Sequence, residues 1–206
     1  MSAVADPPSP RPQGARTTGS RALGAALGEV AAGLRRVTVR IASGRGRAGG
    51  AGALEGAGVV WREDGLIVTN AHVARDRAQV VLGDVRFDAP VVAWDEHLDL
   101  AALVVPARGL PVAARRASRA VRVGELVLGV GHPLGVPGAL SVGIVHSTSR
   151  AVIRSDLRLA PGNSGGPLAD AAGRVIGVNA MIADGLALAV GSDAIEAFVA
   201  RVAEAR

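Results

Sequence analysis

The sequence has no cysteine, no tyrosine and no lysine: all 23 basic side chains of the 206-residue chain are arginine. Without cysteine there is no disulfide framework, no thiolate metal site and no thiol nucleophile, which excludes zinc fingers and cysteine proteases. Aromatics number only four, two Trp and two Phe, so the chain has no stacking platform for single-stranded nucleic acid. Long hydrophobic runs are missing as well. The longest uncharged stretch, Leu126 to Ser149, carries five Gly and two Pro and reads as strands and turns, with no transmembrane segment. Nor does the start of the chain show the apolar core of a secretory signal; the nearest candidate, Ala22 to Leu34, is broken by Glu29 and reads as a short amphipathic helix. On the absence of a signal peptide the expected compartment is the cytoplasm.

The isoelectric point of 11.3 follows from the same gaps. Between the α-amino group near pH ~8 and arginine above ~12 almost nothing titrates, so a small cationic excess drives the value high. The net charge is only +5, and it is local. Residues 1 to 58 hold eight Arg against Asp6, Glu29 and Glu55, while the remainder balances 15 Arg with 15 acids. A neutral body with a cationic leader is not the footprint of a specific nucleic-acid binder. With 49% hydrophobic and 20% charged residues the body should fold.

Residues 1 to 20, rich in Pro, Ser and Arg without apolar periodicity, read as a disordered leader. Gly44 to Gly58 reads as a Gly-rich mobile loop. From Arg36 onward eleven short β-type runs alternate with turn signals, which predicts an all-β sandwich or barrel and not βαβ units. Pro106 to Ala120, with Pro, Gly and four Arg, divides the series as a linker. The predicted layout is a first β module over about 37 to 105, a linker over 106 to 120, and a second module over about 121 to 191. A C-terminal helix follows over 192 to 206, with Ala194, Ile195, Phe198, Val199 and Val202 at helical spacing and Ser192 or Asp193 as N-cap.

The segment Pro161-Gly162-Asn163-Ser164-Gly165-Gly166-Pro167 is chemically the most informative. Glycines on both sides of a serine allow positive φ and let successive N–H groups converge on one point. Attack by Ser164 Oγ on a carbonyl would set the developing charge near the N–H groups of Gly162 and Ser164. The plainer alternative is a Gly-rich hairpin turn with an incidental serine. The segment also fits G-x-S-x-G, but the nucleophile elbow needs a histidine after the serine, and none follows Ser164. Of the four histidines, His72 ends an apolar strand and gives the order His, Asp, Ser. His97 lies in a polar turn, His132 in a loop, and His146 faces outward from a strand. Asp99 opens the apolar run Asp99 to Val105, where a carboxylate needs a partner such as a neutral imidazole N–H. Asp95 competes for that role. In an extended strand Asp95, His97 and Asp99 would share a face and could ligate a metal, the rival reading of this stretch.

Three segments, Thr69-Asn70-Ala71-His72-Val73, Asp99-Leu100-Ala101-Ala102-Leu103 and Pro161 to Leu168, together resemble the trypsin/chymotrypsin superfamily, more closely its bacterial HtrA/Deg-type branch, from about Val37 to Val202. The resemblance implies a chymotrypsin-like double β-barrel, with His72 and Asp99 from the first barrel, Ser164 from the second, and the cleft between them. It implies acyl transfer by a serine endopeptidase on polypeptide substrates, taken as unfolded or partly unfolded proteins, with no cofactor and no metal. Activity is then expected to fall as pH drops through about 6.5, where an ordinary imidazole protonates. The family's substrate pocket corresponds here to Asp156–Ala160, Val178–Met181 and Gly185–Val190. Among its candidates, Leu159, Asn179, Ala180 and Ala187 are small, aliphatic or uncharged and favour a small or medium apolar P1 side chain. Arg158, six residues before Ser164, would select an acidic P1 if turned inward; the expected direction is outward. Only 42 residues follow Ser164, too few for the PDZ domain usual in the branch. No aromatic precedes Trp61, so the N-terminal aromatics of trimeric relatives are lacking, and monomer and trimer both stay open. Relatives mostly work outside the cytoplasm, against the signal-peptide reading. A catalytically silent protease fold serving as a binding module is the alternative function.

Overall fold

The computed structural model describes residues 14–43 and 54–204. Helix α1 (Gly14–Val37) leads into β1 (Thr38–Ser43), β2 (Leu54–Val60), β3 (Leu66–Thr69), β4 (Arg77–Leu82), β5 (Val85–Asp95) and β6 (Leu100–Val104). After the linker come β7 (Leu126–Gly131), β8 (Ala139–Thr148), β9 (Val152–Ser155), β10 (Pro167–Asp170), β11 (Val175–Ala183), β12 (Leu186–Gly191) and helix α2 (Ser192–Glu204). The first six strands close into a barrel in the order β1-β2-β3-β6-β5-β4, and the last six repeat it as β7-β8-β9-β12-β11-β10. Every strand pairing is antiparallel. This is the chymotrypsin-like double β-barrel that the resemblance implies.

The continuous apolar runs have a period-2 explanation. Successive side chains of a strand point to opposite faces, and here both faces are covered. Ile67, Ala101 and Leu103 fill the first barrel, while their neighbours Leu66, Val68, Leu100 and Ala102 enter a second apolar cluster. The same split runs through the second barrel, where Val127, Leu168 and Ile176 point inward and Leu128, Ala169, Val175 and Val178 join that shared cluster. The barrels therefore pack face to face across an interface of mainly aliphatic side chains. Each large one fully removed from water stabilises the fold by about 1.5–3 kcal/mol.

Both helices seal this interface. In α1 the residues Leu27, Val30, Leu34 and Val37 recur at helical spacing and pack on the shared cluster, with Ala31 buried between them. Thr38 Oγ1 donates to the Leu34 carbonyl in the last turn of α1 at 2.7 Å, and Arg35 Nε reaches the Gly138 carbonyl at 2.7 Å. Ile195, Phe198, Val199 and Val202 of α2 enter the same cluster. The linker is held down by Arg116, which donates to Glu125 at 2.6 and 3.1 Å and to the Ala120 carbonyl at 2.6 Å. Arg115 stacks over Trp61, donates to the Trp61 carbonyl and pairs with Glu196 of α2.

Several expectations change. Helix α1 starts at Gly14 and takes in the last seven residues of the stretch read as leader; residues 1–13 lie outside the described residues. An Ala-rich sequence gains helix propensity, and the apolar stripe beginning at Leu27 anchors it. Leu54–Gly58 belong to β2, not to a loop. Glycine is needed there by close approach: a Cβ at Gly58 would lie 2.8 Å from Ile41 Cδ1 and 2.9 Å from Ile67 Cγ2. The rest of the expected loop, 44–53, lies outside the described residues. A twelfth strand, β10, lies outside the eleven runs read along the sequence. Ser192 and Asp193 turn to the linker instead of capping α2: Ser192 Oγ donates to the Arg116 carbonyl, and the Asp193 carboxylate accepts from Ser118 and Arg119. Residues 205–206 lie outside the described residues.

Candidate active site

His72 sits just past the end of β3. Thr69 Oγ1 donates to the Ala57 carbonyl at 2.6 Å, and Val73 and Ala74 N–H both return to the Asn70 carbonyl, curling the chain into a tight turn with His72 on its exposed side. Asp99 closes the turn between β5 and β6 at φ +52°, a left-handed conformation that Asp tolerates better than most residues. Its carbonyl accepts from the buried Asn70 Nδ2 at 2.9 Å, and its carboxylate is spent entirely on His72. Oδ1 accepts the His72 backbone N–H at 3.0 Å, and Oδ2 lies 2.7 Å from Nδ1. A carboxylate can only accept, so Nδ1 carries the proton and Nε2 presents a lone pair.

The Ser164 segment is fastened to the first barrel. Ala57 N–H of β2 donates to the Ser164 carbonyl at 2.8 Å. Gly165, at φ +84°, leaves no room for a Cβ, which would collide with the Ala57 carbonyl and Thr69 Oγ1. Gly56 meets both halves: a Cβ there would lie 2.6 Å from Val73 Cγ1 and 2.9 Å from the Ser164 carbonyl. These contacts bring His72 and Ser164 to one end of the barrel interface.

Behind the serine, Gly162 takes φ +102° against the His132 backbone, whose N–H donates to the Gly162 carbonyl at 3.0 Å, while Leu134 N–H donates to the Pro161 carbonyl at 3.1 Å. Asn163 N–H is taken by the Ala160 carbonyl, Gly165 N–H by Asn179, and Gly166 N–H by Asn163. Gly162 and Ser164 N–H, the two expected donors, have no acceptor among the described residues. Ser164 Oγ itself donates to the Ala180 carbonyl at 2.8 Å and not to His72. His132 is not a free loop residue: burial pushes its imidazole below the usual range, and Gly138 N–H donates to its Nδ1 at 3.3 Å.

The pocket candidates part company. Ala180 touches Ser164 through its carbonyl, Leu159 is half-buried against the second-barrel core, and Arg158 is exposed. Asn179 and Ala187 are buried. Asn179 donates to the Pro167 carbonyl at 2.9 Å, and Ala187 packs inside the second barrel, because the strand alternation of β11 and β12 turns both inward. Residues 96–99 form a turn and not a strand, so Asp95, His97 and Asp99 share no face: Asp95 accepts from Leu98 N–H and Arg201, His97 is exposed, and Asp99 faces His72. His146 is exposed, 3.7 Å from Asp156, whose carboxyl is held below its usual range by the Ile144 N–H.

Sequence reasoning missed a cavity of about 460 Å³ beside His72 and Asp99, walled by Arg75, Asp76, Val91, Trp94 and Glu96. Trp94, 67% exposed in a chain with two Trp, was the available signal. It also missed Ala57, which acts through its backbone and leaves no side-chain pattern to find.

A family model described as a trypsin-like peptidase domain matches residues 56–178, a span that contains His72, Asp99 and Ser164. The chain belongs to this family. Among similar proteins, the mitochondrial serine protease HTRA2 of Drosophila pseudoobscura pseudoobscura is 36% identical over 75% of this chain and 40% of its own length. Serine protease HTRA1 of Xenopus laevis is 35% identical over 72% of this chain and 36% of its own length. The chain thus spans about two fifths of the length of the relatives it matches. No helix among the described residues of this peptidase domain is long and apolar enough to cross a membrane.

Proposed function

We propose that this peptidase domain is a serine endopeptidase working through Ser164, His72 and Asp99. The observation that carries the reading is the pairing of His72 Nδ1 with Asp99 Oδ2 at 2.7 Å, together with a serine loop whose Gly162 and Ser164 N–H groups have no acceptor among the described residues. Ser164 Oγ attacks the scissile carbonyl as His72 Nε2 takes its proton. The oxyanion is received by Gly162 and Ser164 N–H, where losing one donor typically costs ~3 kcal/mol. His72 then gives the proton to the leaving amine, the C–N bond breaks, and water hydrolyses the acyl-serine with His72 again as base. Asp99 fixes the tautomer and stabilises the imidazolium. The linker divides the two barrels at 106–120; the first barrel supplies His72 and Asp99, and the second supplies Ser164.

The cleft receives an extended backbone segment, so the substrates are unfolded or partly unfolded proteins. With Ala180 beside the nucleophile and Arg158 turned to solvent, the P1 preference is a small or medium apolar side chain. A second reading, a catalytically silent binding module, draws on one observation: Ser164 Oγ rests on the Ala180 carbonyl. A change between staggered χ1 wells frees the hydroxyl, and catalytic hydrogen bonds commonly tighten only when substrate is bound. A fluorophosphonate probe separates the two readings. The enzyme reading expects labelling of the wild type that disappears in Ser164→Ala, together with faster cleavage of peptides with Val than with Glu or Arg at P1. A wild type that is never labelled sinks it.

A further inference from the structure

We infer that Asp95 and Arg201 form a positioning clamp by which helix α2 holds the Asp99–His72 pair in register with the nucleophile; the inference rests on the peptidase reading above. Asp95 ends β5, four residues before Asp99. One of its oxygens accepts Leu98 N–H at 3.0 Å and so closes the turn, and the other accepts Arg201 at 2.9 Å. The next link is Asp99, whose left-handed backbone is held on one side by Asn70 Nδ2, which donates to its carbonyl at 2.9 Å, and on the turn side by a 3.3 Å hydrogen bond from its own N–H to the Glu96 carbonyl. On the turn side the hydrogen bond is long, so the left-handed conformation there depends on what closes the turn around it. The closed turn is what aims the Asp99 carboxylate back at His72.

Arg201 supplies the external reference. It stands on the last turns of α2, its guanidinium 5.9 Å from the ring of buried Phe198. The helix packs on β5 and β6 of the first barrel and on β11 and β12 of the second, and β11 carries the Ala180 carbonyl that holds Ser164. One rigid element therefore touches the scaffold of the nucleophile and, through Arg201, the turn of the acid. With both oxygens of Asp95 engaged here, Asp95 is not the carboxylate that orients His72. Arg201 is 57% exposed, and an ion pair so open adds little to global stability. Its removal should then act on catalytic geometry more than on folding.

The test compares Arg201→Gln, Arg201→Lys and, as a control in the same barrel, Arg77→Gln, which opens the exposed Arg77–Asp88 pair. In Arg201→Gln the expected result is kcat lowered by about tenfold with KM within twofold, since small misplacements of reacting groups cost rate before binding. The acid limb of kcat/KM moves to lower pH as the imidazolium loses its aligned carboxylate. The downfield proton resonance of His72 Nδ1–H broadens. Arg201→Lys restores part of kcat, and Arg77→Gln matches the wild type. A lower melting temperature with kcat, acid limb and Nδ1–H resonance unchanged makes the pair merely structural and overturns the clamp. The resonance decides independently of turnover: a wild type that shows it yet resists fluorophosphonate loses the peptidase reading, whereas an unchanged resonance in Arg201→Gln removes the clamp alone.

Discussion

Replacing Asp99 with Asn isolates one proton. The Asp99 carboxylate accepts twice from His72, at 3.0 Å from the backbone N–H and at 2.7 Å from Nδ1. A carboxamide of the same shape has one acceptor and one donor. If its oxygen keeps the backbone N–H, its NH₂ faces Nδ1, which must become the acceptor and send the ring proton to Nε2. If it flips, NH₂ meets the backbone N–H, and leaving such groups unpaired costs about 1–3 kcal/mol. The first arrangement therefore wins, and Nε2 can no longer take the Ser164 proton. Loss of the correct tautomer lowers turnover on the order of 10⁴-fold in such triads, or about 5.5 kcal/mol of transition-state stabilisation. The fold should hardly notice, because Asn tolerates φ +52° as well as Asp does and the Asn70 hydrogen bond goes to the residue-99 carbonyl. Steady-state hydrolysis of a chromogenic peptide, with a melting curve beside it, measures both. A folded Asp99→Asn within tenfold of the wild-type kcat/KM would refute the tautomer argument.

Two further perturbations test the scaffold. Gly165→Ala forces a Cβ onto the Ala57 carbonyl and Thr69 Oγ1 at positive φ; strain and overpacking together amount to about 2–4 kcal/mol. Calorimetry should show a melting temperature lower by on the order of 10 °C with Ser164 labelling slowed, and a shift under 2 °C would mean that the serine loop is not docked as described. Glu125 is held at about 2, well below its ordinary 4.5, chiefly by the Arg116 guanidinium. A carboxyl depressed on folding contributes stability that is fully present above pH 4.5 and is lost as pH falls toward 2. The contribution is about 2–3 kcal/mol at most, since the pair keeps some solvent contact. Glu125→Gln should be less stable at pH 7 and lose less stability between pH 5 and 3 than the wild type; equal losses would place the acid sensitivity elsewhere.

What could be read from the sequence divides along a physical line. Alternation and turn residues are local, so eleven of the strands were legible, and both faces of the apolar runs are now accounted for by two barrel interiors and one interface. The strand β10 escaped because it abuts the serine segment, with Pro167 as its first residue. Gly56 and Gly58 read as loop because composition treats glycine as a turn former, whereas barrel closure and the approach of Val73 and Ser164 demand it in a strand. At the site, His72, Asp99 and Ser164 stood out by residue type and chain order. The burial of Asn179 and its hydrogen bond to the Pro167 carbonyl were not legible, because position in the sequence says nothing about which face of the strand a side chain takes.

The contacts that register the two halves of the site were beyond any local reading, for a reason that bears on mechanism. Ala57 N–H to the Ser164 carbonyl is backbone to backbone, and any residue but proline could make it. The Asp95–Arg201 pair joins residues 106 positions apart, and neither has a motif of its own. A two-barrel catalyst must hold a base on one barrel close to a nucleophile on the other, yet the apolar interface between them is non-directional. Direction has to come from a few hydrogen bonds at its rim. Those bonds add little to stability, so residues that look expendable by burial or exposure, Arg201 foremost, are where turnover should prove sensitive while the melting temperature is not.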